Sequence, residues 1–222
     1  DAQRNLVLRD APVLGMQAYF LEELACQFTS NLATNLTRDD VLPVISAVTE
    51  RLLKQRFLGS APHPGTILDV LSSHHLLHLE GSIVRFVHQR FLEYYAATRL
   101  LRACIERDEP TEPLEAALNL PAWGDSLALV AGKLKASDAF RAARVRLVTA
   151  AANVDLGLAC DLAGLSSFTD ADDQGLHRHI VARVNELTES PLEEVRELGV
   201  TCQIASRFTA FADRLWPLIE SD

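Results

Sequence analysis

The stretch Leu76-Leu77-His78-Leu79-Glu80-Gly81-Ser82-Ile83-Val84-Arg85-Phe86-Val87-His88-Gln89-Arg90-Phe91-Leu92-Glu93-Tyr94-Tyr95-Ala96-Ala97 carries the information that selects the fold. Residues 76–80 and 82–87 are two short β-prone runs joined at Glu80-Gly81, where Gly81 supplies the positive φ of a tight hairpin turn. At His88 the apolar period changes from two to 3.6. The helix predicted over 88–101 then places Phe91, Tyr95, Thr98 and Leu101 on one face.

Toward the N-terminus, Leu14, Ala18, Leu21, Ala25, Phe28 and Leu32 recur every three or four positions, the stripe of an amphipathic helix within 12–36. Val41, Ile45, Val48 and Leu52 form a second stripe. Thr37 and Asp40 have capping-box spacing, but Pro43 would then fall inside the helix, so its start is predicted at Asp39 or Asp40. Residues 59–65 carry two prolines and no periodicity and read as a loop, after which Thr66 caps a short helix through Ile67, Leu68, Val70 and Leu71. Three helices, a two-stranded hairpin and a closing helix is the element order of a winged helix with one appended helix.

Toward the C-terminus the pattern is helical throughout. Starts are predicted at Thr111, at Pro121 as a first helical residue, at Ser137, at Thr169, and at Ser190-Pro191-Leu192-Glu193, which has capping-box spacing. Breaks are predicted at Asn119, near Lys135, near Asn153 and over 164–167. Helices of this length with short links pack as a bundle or a solenoid. The predicted fold is therefore mainly α: a winged-helix domain over 1–107 with one small β-hairpin, followed by an acidic all-α domain over 108–222.

The chain has 222 residues and a formal charge of −9. That charge is unevenly placed: residues 1–107 hold 11 basic and 11 acidic side chains, and residues 108–222 hold 10 and 19. An acidic half is a poor partner for phosphate backbones, which disfavours nucleic acid as a ligand. No run approaches the roughly 20 apolar residues of a membrane span, and no basic-then-apolar leader opens the chain. The expectation is a soluble cytoplasmic protein. A chain that begins at Asp1 is also expected to be a piece of a longer one. Cys26, Cys104, Cys160 and Cys202 are far apart in sequence and sit in apolar helical patterns, so they read as buried free thiols.

Catalytic signatures are absent: there is no phosphate loop, dinucleotide fingerprint, zinc-protease helix or nucleophile elbow. The chain alone is not expected to act as an enzyme. His74, His75 and His78 lack the further ligands that zinc requires, and His177 and His179 point apart on their helix, so no metal site is predicted. His88 stands where a strand gives way to a helix, beside backbone N–H groups that attract anions. Its imidazole can donate to a phosphate oxygen there, with Arg85 or Arg90 adding charge. On chemistry alone the plainer reading, that His88 caps or packs the hairpin, is favoured.

The segment from Phe86 to Ala97 resembles the F-x-H-x-x-F-x-E-[YF]-x-A-A signature at the end of the winged helix in NACHT-type nucleotide-switch proteins, the STAND ATPases. Phe86, His88, Phe91, Glu93, Tyr94, Ala96 and Ala97 all match. The helix bearing Leu21-Glu22-Glu23-Leu24-Ala25 and the segment Pro121-Ala122-Trp123 leading to Leu129-Val130-Ala131-Gly132 are similar to flanking features of the same family, so the likeness covers about residues 13–134.

The resemblance implies that the winged helix folds onto a nucleotide domain upstream in the same chain. His88 would contact the β-phosphate of bound ADP, and exchange for ATP would release it and permit oligomerisation. Phe91 and Tyr95 would pack the hairpin against the helix, and Glu93 would pair with Arg90 or a neighbouring domain. The cofactor of the whole protein would be ADP or ATP with Mg²⁺, and this piece would need none itself. The helical region would meet a protein or small ligand as sensor or regulator, in innate-immune or antiphage signalling. A charge-assisted hydrogen bond of about 1.5–3 kcal/mol shifts a two-state population ten- to a hundredfold, enough for a latch. Two rival readings remain. One is a DNA-binding winged helix that reads with residues 40–57, carrying Arg51, Lys54 and Arg56, or with residues 66–75. The other is a helical protein-binding scaffold.

Overall fold

The computed structural model describes Val13, residues 15–106 and residues 112–212. These divide into two compact units, Asp1–Arg99 and Leu100–Asp222. The predicted positions Leu14 and Thr111, and the predicted domain division at 107/108, lie outside the described residues.

The first unit contains α1 (Gln17–Ser30), β1 (Leu36–Thr37), α2 (Arg38–Lys54), α3 (Pro64–Ser73), β2 (Leu77–Glu80), β3 (Ile83–Phe86) and the start of α4 (Gln89–Ile105). The hairpin β2–β3 forms as predicted, with Gly81 at φ +61 in its turn. The sheet gains a third strand, because Leu36 and Thr37 of β1 pair antiparallel with Val84 and Ile83, giving the order β1-β3-β2. Two residues between helices carry too little pattern to announce a strand. They pair because β3 presents a free edge at the point where the chain enters α2. Leu36, Leu77, Val84 and Phe86 face the core, while Thr37, His78, Ile83 and Arg85 face outward. This is the winged-helix order of elements, and it rests on Phe20, Leu24, Phe28, Ile45, Leu52, Ile67 and Leu71, all fully buried.

Helix starts differ from the sequence expectation in four places. Thr37 does cap α2: its hydroxyl accepts the Asp40 N–H, and the Asp40 carboxylate accepts the Thr37 N–H at 2.9 Å. Pro43 sits inside the helix at an exposed position, so the Asp39 carbonyl that it leaves without an intrahelical partner is open to water. The cap of α3 is His63 rather than Thr66, its Nδ1 accepting the Gly65 N–H at 3.1 Å with Pro64 as first helical residue. Thr169 heads a turn closed by the Asp172 carboxylate, and the helix begins only after Asp173. Ser190 bonds the Leu192 N–H and the helix opens at Glu193, which leaves Pro191 outside it.

The second unit is helical. After α5 (Glu112–Leu118), the turn Pro121–Trp123 leads into α6 (Gly124–Lys135). There follow α7 (Arg141–Ala152), α8 (Leu156–Ser166), α9 (Gln174–Thr188) and α10 (Glu193–Ser206). Packing runs to the next and next-but-one helix, so α6, α8 and α10 lie side by side as in a stacked helical array. Central α8 is apolar nearly all round, as a buried helix must be. The predicted break over 164–167 falls at the far end of that range, and Gly164 itself lies inside α8. A Cβ there would strike the Ala205 carbonyl of α10, so glycine is required for the two backbones to approach. The break comes at Ser167, which closes the helix in the left-handed conformation.

Candidate functional site at the strand-to-helix junction

His88 follows β3 and precedes α4. Its carbonyl accepts the N–H groups of Phe91 at 3.0 Å and Leu92 at 3.4 Å, which places His88 at the cap of the helix. Its side chain is exposed, with the ring centroid 5.5 Å from that of Phe91. Among the described residues no hydrogen bond occupies its ring nitrogens. The exposed imidazole therefore stands at the positive end of α4.

The two arginines named with it take separate places. Arg85 lies on the outer face of the sheet opposite His78. Arg90 donates to Glu93 at 2.9 Å while its own side chain stays 80% exposed. Glu93 is buried, so this bond brings a charge partner to a carboxylate beneath the first turn of α4.

The aromatic residues of the motif separate into an inner and an outer set. Phe86 is buried, edge-on to Phe28 at 5.4 Å and tilted against Tyr95 at 6.5 Å. Tyr95 thus packs the hairpin onto α4, and burial raises its phenol pKa above the ordinary value. Phe91 does not: it is 36% exposed and its ring neighbour is His88. Tyr94, 47% exposed, stands edge-on to Tyr95 at 5.3 Å. Of the four residues placed on one face, Phe91 is exposed and Tyr95, Thr98 and Leu101 are half-buried. The buried positions are Leu92, Glu93, Ala96, Ala97, Arg99, Leu100, Ala103 and Cys104. Alanines at 96 and 97 permit close packing that a bulky side chain would hinder, and they, rather than Phe91, mark the inner side.

A charge cluster that sequence reading did not single out holds α4 in place. Glu23 of α1 accepts from Arg99 of α4 at 3.0 Å and from Arg51 of α2 at 2.6 Å, with Glu22 buried beside it. One carboxylate thereby ties three helices. The only sequence signal was an acid pair inside an apolar stripe at Leu21-Glu22-Glu23-Leu24. Arg51 is committed to this cluster, and α3, the second helix of the helix-turn-helix, exposes Thr66 and Asp69 with Arg38 3.9 Å from Asp69. Its exposed face carries an acid and no cation.

Trp123 belongs to the second unit. It is buried in the turn Pro121–Trp123, and its Nε1 finds no acceptor among the described residues. Among the described residues no three His, Cys, Asp or Glu side chains converge on a metal position. No described helix is long and apolar enough to cross a membrane. No protein-family model, curated protein or solved structure matches this chain.

Proposed function

We propose that the chain is the regulatory region of a NACHT-like nucleotide-switch signalling ATPase, its winged helix reading ADP on an upstream nucleotide domain and its helical region sensing or regulating. The observation that carries this reading is the exposed imidazole of His88, set at the cap of α4 with no intramolecular hydrogen bond on its nitrogens among the described residues. A histidine kept only to pack or cap the hairpin would bury its ring or bond its own helix, as His63 does on α3. An exposed ring N–H at a helix start suits a phosphate oxygen. Arg90, exposed beyond its bond to Glu93, adds positive charge on the same turn. In this reading ADP, ATP and Mg²⁺ belong to the upstream domain, the whole protein oligomerises on activation, and it works in the cytoplasm. The DNA-binding alternative draws no support from a second helix whose exposed face is acidic and from an Arg51 already bound to Glu23.

The test has two arms. The gene should encode a phosphate loop ahead of Asp1. In the intact gene product, His88→Ala should speed ADP release about ten- to a hundredfold. It should leave the thermal midpoint unchanged, because the side chain is exposed. Unaltered ADP retention, or a gene without a phosphate loop, overturns the proposal.

A further inference from the structure

Cys160 on α8 and Cys202 on α10 belong to one core cluster with Val148, Ala163, Phe168, Ile180 and Val184. Both are free thiols. The two helices run side by side, and the absence of a side chain at Gly164 lets the backbone of α8 close on Ala205. Cys160 lies about one turn before Gly164, and Cys202 lies about one turn before Ala205. The same close approach that demands glycine therefore brings these two short side chains together within one core cluster.

We propose that Cys160 and Cys202 form a dithiol modification site, oxidised by a peroxide to a disulfide that crosslinks α8 and α10. The interaction between the two thiols lowers the pKa of Cys202, and together with burial it raises that of Cys160. Cys202 is accordingly the attacking thiolate and Cys160 the resolving thiol. The Cys202 sulfur attacks one oxygen of hydrogen peroxide, forming S–O and breaking O–O, and the departing hydroxide takes a proton to become water. The Cys160 sulfur then attacks the sulfenic sulfur, forming S–S and breaking S–O, and its proton leaves with the second hydroxide as water. Two thiols lose two electrons and one peroxide is reduced to two waters. Both sulfurs are buried, so the oxidant enters through local opening of the α8–α10 contact. Cys26 and Cys104 are internal controls: burial holds Cys26 protonated and pushes Cys104 up to about 12.

The full chain is treated with hydrogen peroxide, quenched with an alkylating agent, digested without reduction and mapped by mass spectrometry. The expected result is a Cys160–Cys202 peptide pair, two hydrogens lighter than its separate halves and released by dithiothreitol, with a thermal midpoint that rises on oxidation and falls back on reduction. In Cys160→Ser, oxidation should stop at a Cys202 sulfenic acid that dimedone traps. If that variant does not fold, mapping of the wild-type chain decides alone. Oxidation of Cys26 or Cys104 ahead of this pair, or separate conversion of Cys160 and Cys202 to sulfinic acids, overturns the assignment. Neither result bears on the nucleotide reading.

Discussion

Each unit of this protein is pinned internally by one buried arginine, and the two are satisfied in different ways. Arg99, its side chain 5% exposed, meets a carboxylate on another helix that is itself shared with a second arginine. Arg144, at 7%, bonds the carbonyls of Leu134 and Ser137 at 3.0 Å and the Asp172 carboxylate at 2.7 Å. The first is an ionic bridge between helices. The second gathers the link from α6 to α7 and the loop before α9 around one guanidinium, whose planar fork suits several acceptors at once. In the first unit, then, charge orients the helix that carries His88. In the second, charge organises connections, and the helices associate through small residues and apolar packing.

The largest effect that sharpens this contrast is expected at Asp172, whose side chain is 5% exposed. Replacing it by Ala leaves Arg144 a buried charge with the two carbonyls and only the exposed Asp138 carboxylate at 3.7 Å as partners. It also removes the acceptor for the Thr169 N–H. The cost should be about 3–5 kcal/mol in urea denaturation. A loss below about 1 kcal/mol would mean that the carbonyls and Asp138 together satisfy the arginine.

Next comes Gly164→Ala. The added methyl meets the Ala205 carbonyl, a backbone group that cannot swing away, so α8 and α10 must separate. Denaturation should show a loss of about 1–3 kcal/mol, the usual cost of overpacking a core. The same variant should slow formation of the Cys160–Cys202 disulfide, because both depend on one close approach. Full stability together with an unchanged oxidation rate would break the account of that contact.

Glu23→Gln tests the other side of the comparison. It keeps shape and acceptor but removes the charge that Arg51 and Arg99 share. A loss of about 1–3 kcal/mol is expected. It should be accompanied by faster amide exchange in the first turns of α4, since that helix loses its tie to α1. Unchanged exchange would show that apolar packing alone orients α4.

The smallest effect concerns acid. Hydrogen bonds from the Thr37 side chain and backbone hold the Asp40 carboxyl below its ordinary value of 3.8. A depressed folded-state value means that this carboxylate contributes stability above the ordinary range. The contribution is lost as pH falls from about 3.8 through the lower folded value. In Thr37→Val that part of the acid dependence should flatten in denaturation curves compared between pH 5 and pH 3. A slope identical to the wild type would show that the capping box does not contribute.

Much of this architecture was readable from local pattern. The stripe of α2, the part of the α1 stripe carried by Leu21, Ala25 and Phe28, the Gly81 turn and the switch of period at His88 depend on residues near one another in the chain, whose dihedral preferences and spacing are set by near neighbours. Ala18 is exposed and Leu32 lies beyond the helix end. Glu93 pairs with Arg90, one of the two partners the family resemblance implied for it, in a contact across one helical turn. Errors came where two local rules competed. Pro43 argued against Thr37 as a cap, yet its exposed position leaves Asp39 open to water while the capping box forms. Bulk argued for Phe91 as an inner residue, although Ala96 and Ala97 permit the closer packing.

For this chain, covalent neighbours were sufficient to specify which segments coil, where the hairpin turns and where an imidazole stands relative to a helix start. They were silent on the pairing of Leu36 and Thr37 with β3, the inner side of α4, the partners of Arg99 and Arg144, the demand for glycine at 164 and the meeting of Cys160 with Cys202. Each of those joins residues distant along the backbone. Such contacts form only once packing has brought their elements together, and no periodicity in the sequence encodes that distance.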